Sequence, residues 1–237
     1  MIAQDVKAEL QKYASTERAL QAQRFFKTGE GQYGAGDVFI GVRMPANRAV
    51  ARQFKDLPLG EVQKLLDSRV HEHRMVGLII LDLQYPRADE QQKHSIYDLY
   101  LLNVYQNRIN NWDLVDVTVE AIVGQHLLNR PRDSLFELAE SDSLWQRRVA
   151  MISSFAFIKK GDPSTTLELA ALLLHDEHDL IQKAVGWMLR EVGKRCEPKL
   201  LTDFLDQHAH HMPRTALRYS LEKLPPAERA HYMRQKK

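Results

Sequence analysis

Apolar positions recur along nearly the whole chain at three- and four-residue spacing, the period of an amphipathic helix. The pattern is plainest over 178–195. There Ile181, Val185, Met188, Leu189 and Val192 share one side, while Lys183, Trp187, Arg190 and Lys194 share the other. Alternating β-branched runs, the mark of strands, are scarce. The best of them, Val117-Thr118-Val119, sits inside a longer helical period. Pro45, Pro58, Pro86, Pro131, Pro163, Pro198, Pro213 and Pro225 fall at intervals that suit helix boundaries, and several read as first-turn prolines, where the missing N–H costs no hydrogen bond. Gly161 is placed to close one helix just before Asp162-Pro163 opens the next. The pattern predicts helices near 3–13, 16–27, 45–56, 58–67, 69–84, 88–106, 111–128, 131–140, 142–159, 163–175, 178–195, 197–208, 213–223 and 225–235. The long exception is Thr28 to Met44, with Gly29, Gly31, Gly34, Gly36 and Gly41. Such a loop in a helical protein is either functional or a plain connector.

The chain repeats itself weakly. Leu144 to Ala150 resembles Leu180 to Gly186, about 36 residues on, and His73 to Gly77 has the same character about two periods before Val149. Helix pairs at that spacing predict an all-α fold, a HEAT- or armadillo-like α-solenoid of antiparallel helix pairs curving around a concave groove. One continuous domain over 1–237 is expected, because each repeat buries its apolar face on its neighbours.

Composition narrows the setting. At 44% apolar and 27% charged the chain is neither a disordered tail nor a membrane protein. Its longest apolar runs, Val76 to Leu81 and Leu169 to Leu174, fall far short of the ~20 residues a bilayer span needs. The start, MIAQDVKAEL, lacks the basic-then-apolar pattern of a secretory signal. The lone Cys196 forms no internal disulfide and is expected to pack between helices, which fits a reducing cytoplasm. A net charge of +2 demands no nucleic-acid partner, so any basic surface must be local.

Four places carry candidate chemistry. On 178–195, Trp187 lies within the cationic stripe. It is either a stacking surface beside a phosphate track or a core-edge tryptophan with basic stems around it. In Asn110 to Asp116, either asparagine can cap a helix, and Asp113 in the first turn is explained by the helix dipole. Asp116 lies one turn after Trp112, so the two project together. A carboxylate there is either functional or paired with a basic residue of a neighbouring repeat. Arg148, with Phe155 and Lys159 on its face, suits bidentate phosphate contact or simple solvation. In the segment Phe39 to Arg48, Pro45 opens a helix whose free N–H groups, with Arg48 one turn on, suit an anion. The histidines at 175, 178, 208, 210 and 211 read as surface residues on helix ends, since a metal needs a complete ligand set. No P-loop, dinucleotide fingerprint or nucleophile elbow is present.

Taken together, FIGVRMPANR, NNWDLVD, LWQRRVAM and LIQKAVGWMLREVGK resemble the DNA alkylation repair family, the HEAT-like-repeat DNA glycosylases of the AlkD type. They run in family order across residues 39–194. The resemblance implies a monofunctional glycosylase acting on duplex DNA with alkylated purines, 3-methyladenine and 7-methylguanine among them, in a basic groove without a tight base pocket. It implies Asp116 as the catalytic carboxylate, and Trp112 and Trp187 as the aromatics flanking the lesion. It makes Arg148 the arginine on a nearby phosphate, and Arg48, Lys183, Arg190 and Lys194 parts of the DNA track. Arg43 is a departure, because some members carry glutamine there. Neither cofactor nor metal is implied, and a cytoplasmic monomer, nucleoid-associated if bacterial, is expected. Two other classes remain: a non-catalytic binder of damaged or branched DNA, which would use the same groove without depending on Asp116, and a protein-interaction scaffold, which would lack the convergence of Trp112, Trp187 and Arg148 on one concave face and bind DNA with little salt dependence.

Overall fold

The computed structural model describes residues 1–235. Its elements are helical, and the described residues include a single isolated β-bridge, Val38 with Val70, and no sheet. The chain divides into two compact units, Met1–Ile122 and Val123 onward.

The first unit holds α1 (Ala3–Gln11), α2 (Thr16–Phe25), α3 (Met44–Gln53), α4 (Leu59–Leu66), α5 (His71–Gln84), α6 (Glu90–Tyr105) and α7 (Trp112–Asp116). Its centre is α5, buried almost without break from His71 to Leu81 and packed against α1, α3, α4 and α7. Local chemistry marks several starts. Ser15 Oγ accepts from the Arg18 N–H, Asp89 Oδ1 from the Gln92 N–H, and Asn111 Oδ1 from the Trp112 N–H. The Ala3 N–H donates to Glu61 Oε2 at 2.8 Å and ties α1 to α4.

The second unit holds α8 (Asp133–Ala139), α9 (Leu144–Ser153), α10 (Phe155–Ile158), α11 (Ser164–Leu172), α12 (Asp179–Arg195), α13 (Pro198–His208), α14 (Arg214–Ser220) and α15 (Pro226–Arg234). Here α12 is central, packed on α9, α11, α13 and α14. Ile181, Val185, Met188, Leu189 and Val192 are all buried, as the periodicity predicts. Helix α14 comes so close at Gly186 that a Cβ there would lie 2.3 Å from the Ala216 carbonyl oxygen. Gly161 has a φ of +79° and closes α10, its N–H donating to the Ile158 carbonyl. Cys196 Sγ points at that same carbonyl, 3.7 Å away. The three recurring sequence segments fall on α5, α9 and α12.

Two predicted helices are broken. Over 111–128, α7 ends at Asp116 and a π-helical turn follows at Glu120–Gly124. Thr118 Oγ1 donates back to the Leu114 carbonyl, competing with the backbone ladder and bending it. Over 142–159, the helix divides at Ser154. The hydroxyls of Ser153 and Ser154 donate to the carbonyls of Val149 and Met151 there. Hydrophobic period passes through both breaks unchanged, so it does not reveal them.

Candidate functional site

In the first unit the chemistry gathers at α7, a helix of only five residues. So short a helix has little stability of its own and takes its position from what it is attached to. Trp112 opens it, half-buried, and Asp116 closes it, half-buried, on the same side at i and i+4. The Trp112 ring stacks on Phe26 at 5.3 Å and meets the edge of Phe25 at 5.8 Å. Phe26 stacks on Phe39 at 5.1 Å, and Phe39 on the His71 ring at 4.4 Å.

Between these two residues lies Asp113, whose role exceeds that of a first-turn acid. Its Oδ2 is 2.9 Å from His71 Nε2, while Asp37 Oδ2 is 3.0 Å from His71 Nδ1. Arg74 donates to Asp37 Oδ1 at 2.6 Å and to Asn110 Oδ1 at 3.0 Å. All four ionisable side chains are buried. Burial alone would strip His71 of its proton, but the charges and hydrogen bonds of Asp113 and Asp37 outweigh it and lift its pKa to about 9. Burial likewise works against the Asp37 carboxylate, and His71 with Arg74 reverses this, holding it below the usual carboxylate range. The glycine-rich segment therefore has a structural role, since it delivers Asp37 to His71 and Arg74 at the start of α5. Its end is pinned by Glu72, whose carboxylate accepts the N–H groups of Ile40, Gly41 and Val42 at 2.8–3.2 Å. Gly41 is required there. Its φ is +77°, and a Cβ would lie 2.2 Å from the Ser15 carbonyl oxygen. The exposed Arg43 follows and helps line a cavity of about 360 Å³ with Phe25, Phe26, Phe39, Asn47 and Glu72. A second cavity, about 420 Å³, is lined by Asp56, Leu57, Gln84 and Arg87 and contains none of the expected site residues.

Beyond α7, acids collect. The buried Tyr100 hydroxyl lies 3.3 Å from Thr118 Oγ1. Burial first, and then the charges of Asp116 and Asp82, push its pKa up. Burial also raises the Asp82 carboxyl. Arg48 opposes that rise and Glu120 adds to it. Asp116, Asp82, Glu120 and the exposed Arg48 thus share one electrostatic neighbourhood. Among the described residues no group of three His, Cys, Asp or Glu side chains is placed to hold a metal ion.

In the second unit, Trp187 of α12 is half-buried, with its ring 6.1 Å from Phe155. The Phe155 ring also carries Lys159 Nζ at 4.8 Å and Arg195 Cζ at 5.1 Å, a mixed cationic and aromatic patch. Arg148 is only 5% exposed, and its guanidinium donates to the Leu180 carbonyl, which orients it. Its neighbour Arg147 holds Asp176 at 2.6 Å and the carbonyls of Ser141 and Asp142. The cationic stripe of α12 is partly neutralised. Lys183 pairs with Asp179 at 2.8 Å, and Arg190 pairs with Glu222 and Glu191. Arg190 Nε is buried without a partner, and Lys194 is exposed.

Sequence reasoning did not find Asp37, His71, Arg74, Asp82 or Glu120. His71 and its carboxylates are separated by 34 and 42 residues, and no spacing rule links them.

A model of the DNA alkylation repair enzyme family matches residues 6–224 of the chain. No curated protein matches it significantly. A solved structure described as a predicted DNA alkylation repair enzyme from Enterococcus faecalis is similar, with a TM-score of 0.70 and 18% identity, over 90% of this chain and 97% of that one. At that identity the likeness is one of fold: all-α, of the α-solenoid class.

Proposed function

Because the chain belongs to the DNA alkylation repair enzyme family, we propose that it is a monofunctional DNA glycosylase. Its substrates are cationic alkylated purines in duplex DNA, 3-methyladenine and 7-methylguanine above all. The observation that carries this reading is the pairing of Trp112 with Asp116 on one face of a helix anchored by a buried ion network.

A purine alkylated at N3 or N7 already carries positive charge and leaves readily, so little general-acid help is needed. As the C1′–N bond breaks, the deoxyribose becomes oxocarbenium-like. The Asp116 carboxylate stabilises that cation and orients the attacking water. The electron-rich faces of Trp112 and Trp187 add cation–π stabilisation of about 0.5–2 kcal/mol each. Arg148, oriented by the Leu180 carbonyl, is assigned a phosphate beside the lesion. Arg43, Arg48, Lys183, Arg190 and Lys194 are assigned the DNA backbone. Lys183 and Arg190 must exchange acidic partners for phosphates, so they contribute less than their charge suggests. No catalytic lysine is invoked, so hydrolysis proceeds without strand cleavage. Cationic lesions are preferred over neutral ones such as hypoxanthine, since departure of the base is not driven by a tight pocket.

The test is release of methylated bases from methylated duplex DNA by wild type and Asp116→Asn side by side. Release by wild type, lost in the mutant with duplex binding intact, is expected. Salt-sensitive binding without release by wild type would instead leave a non-catalytic DNA binder, and salt-insensitive binding a protein scaffold.

A further inference from the structure

Both ring nitrogens of His71 face a carboxylate oxygen at hydrogen-bond distance, Nδ1 toward Asp37 and Nε2 toward Asp113. A neutral imidazole donates from one nitrogen only, so its other lone pair would oppose a carboxylate. The imidazolium satisfies both. It also balances the charge of the buried group, two carboxylates against His71 and Arg74. His71 and Asp113 border the cavity of about 360 Å³, into which Arg18 and Arg43 also face. The glycine-rich segment contributes Asp37, and α7 contributes Asp113. On α5 itself, Arg74 is bound to Asp37, while Glu72 is occupied by backbone N–H groups. Phe39 and Phe26 cover the ring at 4.4 Å and 5.3 Å.

Asp113 directly follows Trp112 and lies three residues before Asp116, so whatever holds Asp113 sets the direction of both. The aromatic stack from Trp112 through Phe26 and Phe39 ends on the same imidazole. Two independent contacts thus join His71 to α7. We propose that His71 is a positioning residue for the repair reaction: as an imidazolium clamped between Asp37 and Asp113, it fixes α7 and with it the placement of Trp112 and Asp116, and loss of its proton releases them. What α7 does once placed rests on the glycosylase reading; the clamp does not.

Three readouts on the whole protein test this. Imidazole ¹⁵N spectra should show His71 carrying two ring protons at pH 7, with deprotonation near pH 9. Tryptophan fluorescence should show an alkaline step at the same pH, assigned to Trp112 by its absence in Trp112→Phe. Single-turnover release of 3-methyladenine should fall across the same range, with duplex affinity unchanged. In Asp113→Asn, which removes the strongest charge favouring the imidazolium, all three transitions should move down by about one to three pH units. If Asp113→Asn fails to fold, Asp37→Asn makes the same prediction. A His71 with a single ring proton at pH 7, or transitions that do not move in the folded variant, would overturn the proposal. If wild type releases no base, the glycosylase reading fails, and the spectra and fluorescence still decide the clamp.

Discussion

Arg190 offers a way to test the proposed DNA track by adding affinity. It lies on the cationic face of α12, yet its guanidinium is held by Glu222 of the segment after α14 and by Glu191 beside it. Glu222 is half-exposed, and the Arg190 hydrogen bond and charge hold its carboxyl below the usual range, so it stays ionised at neutral pH. Replacing Glu222 with Gln removes the more exposed of the two competing charges; Glu191, which Arg195 also binds, remains, so Arg190 is freed in part for a phosphate. Each phosphate neutralised on duplex DNA adds about 0.9 to the slope of log K against log salt. The Glu222→Gln protein is therefore expected to bind tighter at 50 mM salt, with a slope steeper by up to about 0.9. Fluorescence anisotropy of a labelled duplex between about 50 and 200 mM salt measures this. Any loss of a negative charge raises the net charge, so Glu168→Gln, an exposed acid on α11, serves as the control. A slope unchanged in Glu222→Gln, or matched by Glu168→Gln, would refute the placement of Arg190 against DNA.

Two further outcomes concern stability. Gly186→Ala drives a methyl group into the Ala216 carbonyl oxygen and the Tyr219 Cβ, at 2.3 and 2.6 Å. Even after the helix-propensity gain of about 1 kcal/mol, overpacking should leave it less stable by about 1–2 kcal/mol in urea titration. Gly60→Ala on the exposed side of α4 meets nothing within 4 Å and should be neutral or stabilising, so the same sign at both glycines would contradict the packing argument. The second outcome is set by pH. His71 has a pKa raised from 6.5 to about 9, so its contribution is full below about 6.5 and is lost as pH rises through 9. Asp37 is depressed, so its contribution is lost as pH falls through its folded value. Stability should hold its plateau at mildly acid pH, begin to fall from about pH 6.5, and drop by about 2.5 kcal/mol from pH 7 to pH 10. A curve flat to pH 10 would show that His71 is not charged in the fold.

What the chain alone determined was what neighbours in sequence can decide. The period of α12, with Val185 and Met188 inward and Trp187 and Lys194 outward, follows from 3.6 residues per turn and needs no other helix. The boundary at Gly161 and the cap at Asn111 are equally local. The pairing of Trp112 with Asp116 was legible for the same reason, being one helical turn. The tertiary structure alone decided what those residues rest on. Asp37 reaches His71 across 34 residues of sequence, and Asp113 across 42, because loop and helix converge on the buried start of α5. Packing also decided that Arg190 meets Glu222, and that the apolar run after α7 takes a π turn. Charges and breaks of this kind have no period. They arise from the burial of groups that must find a partner once water is gone, and only the folded chain names that partner.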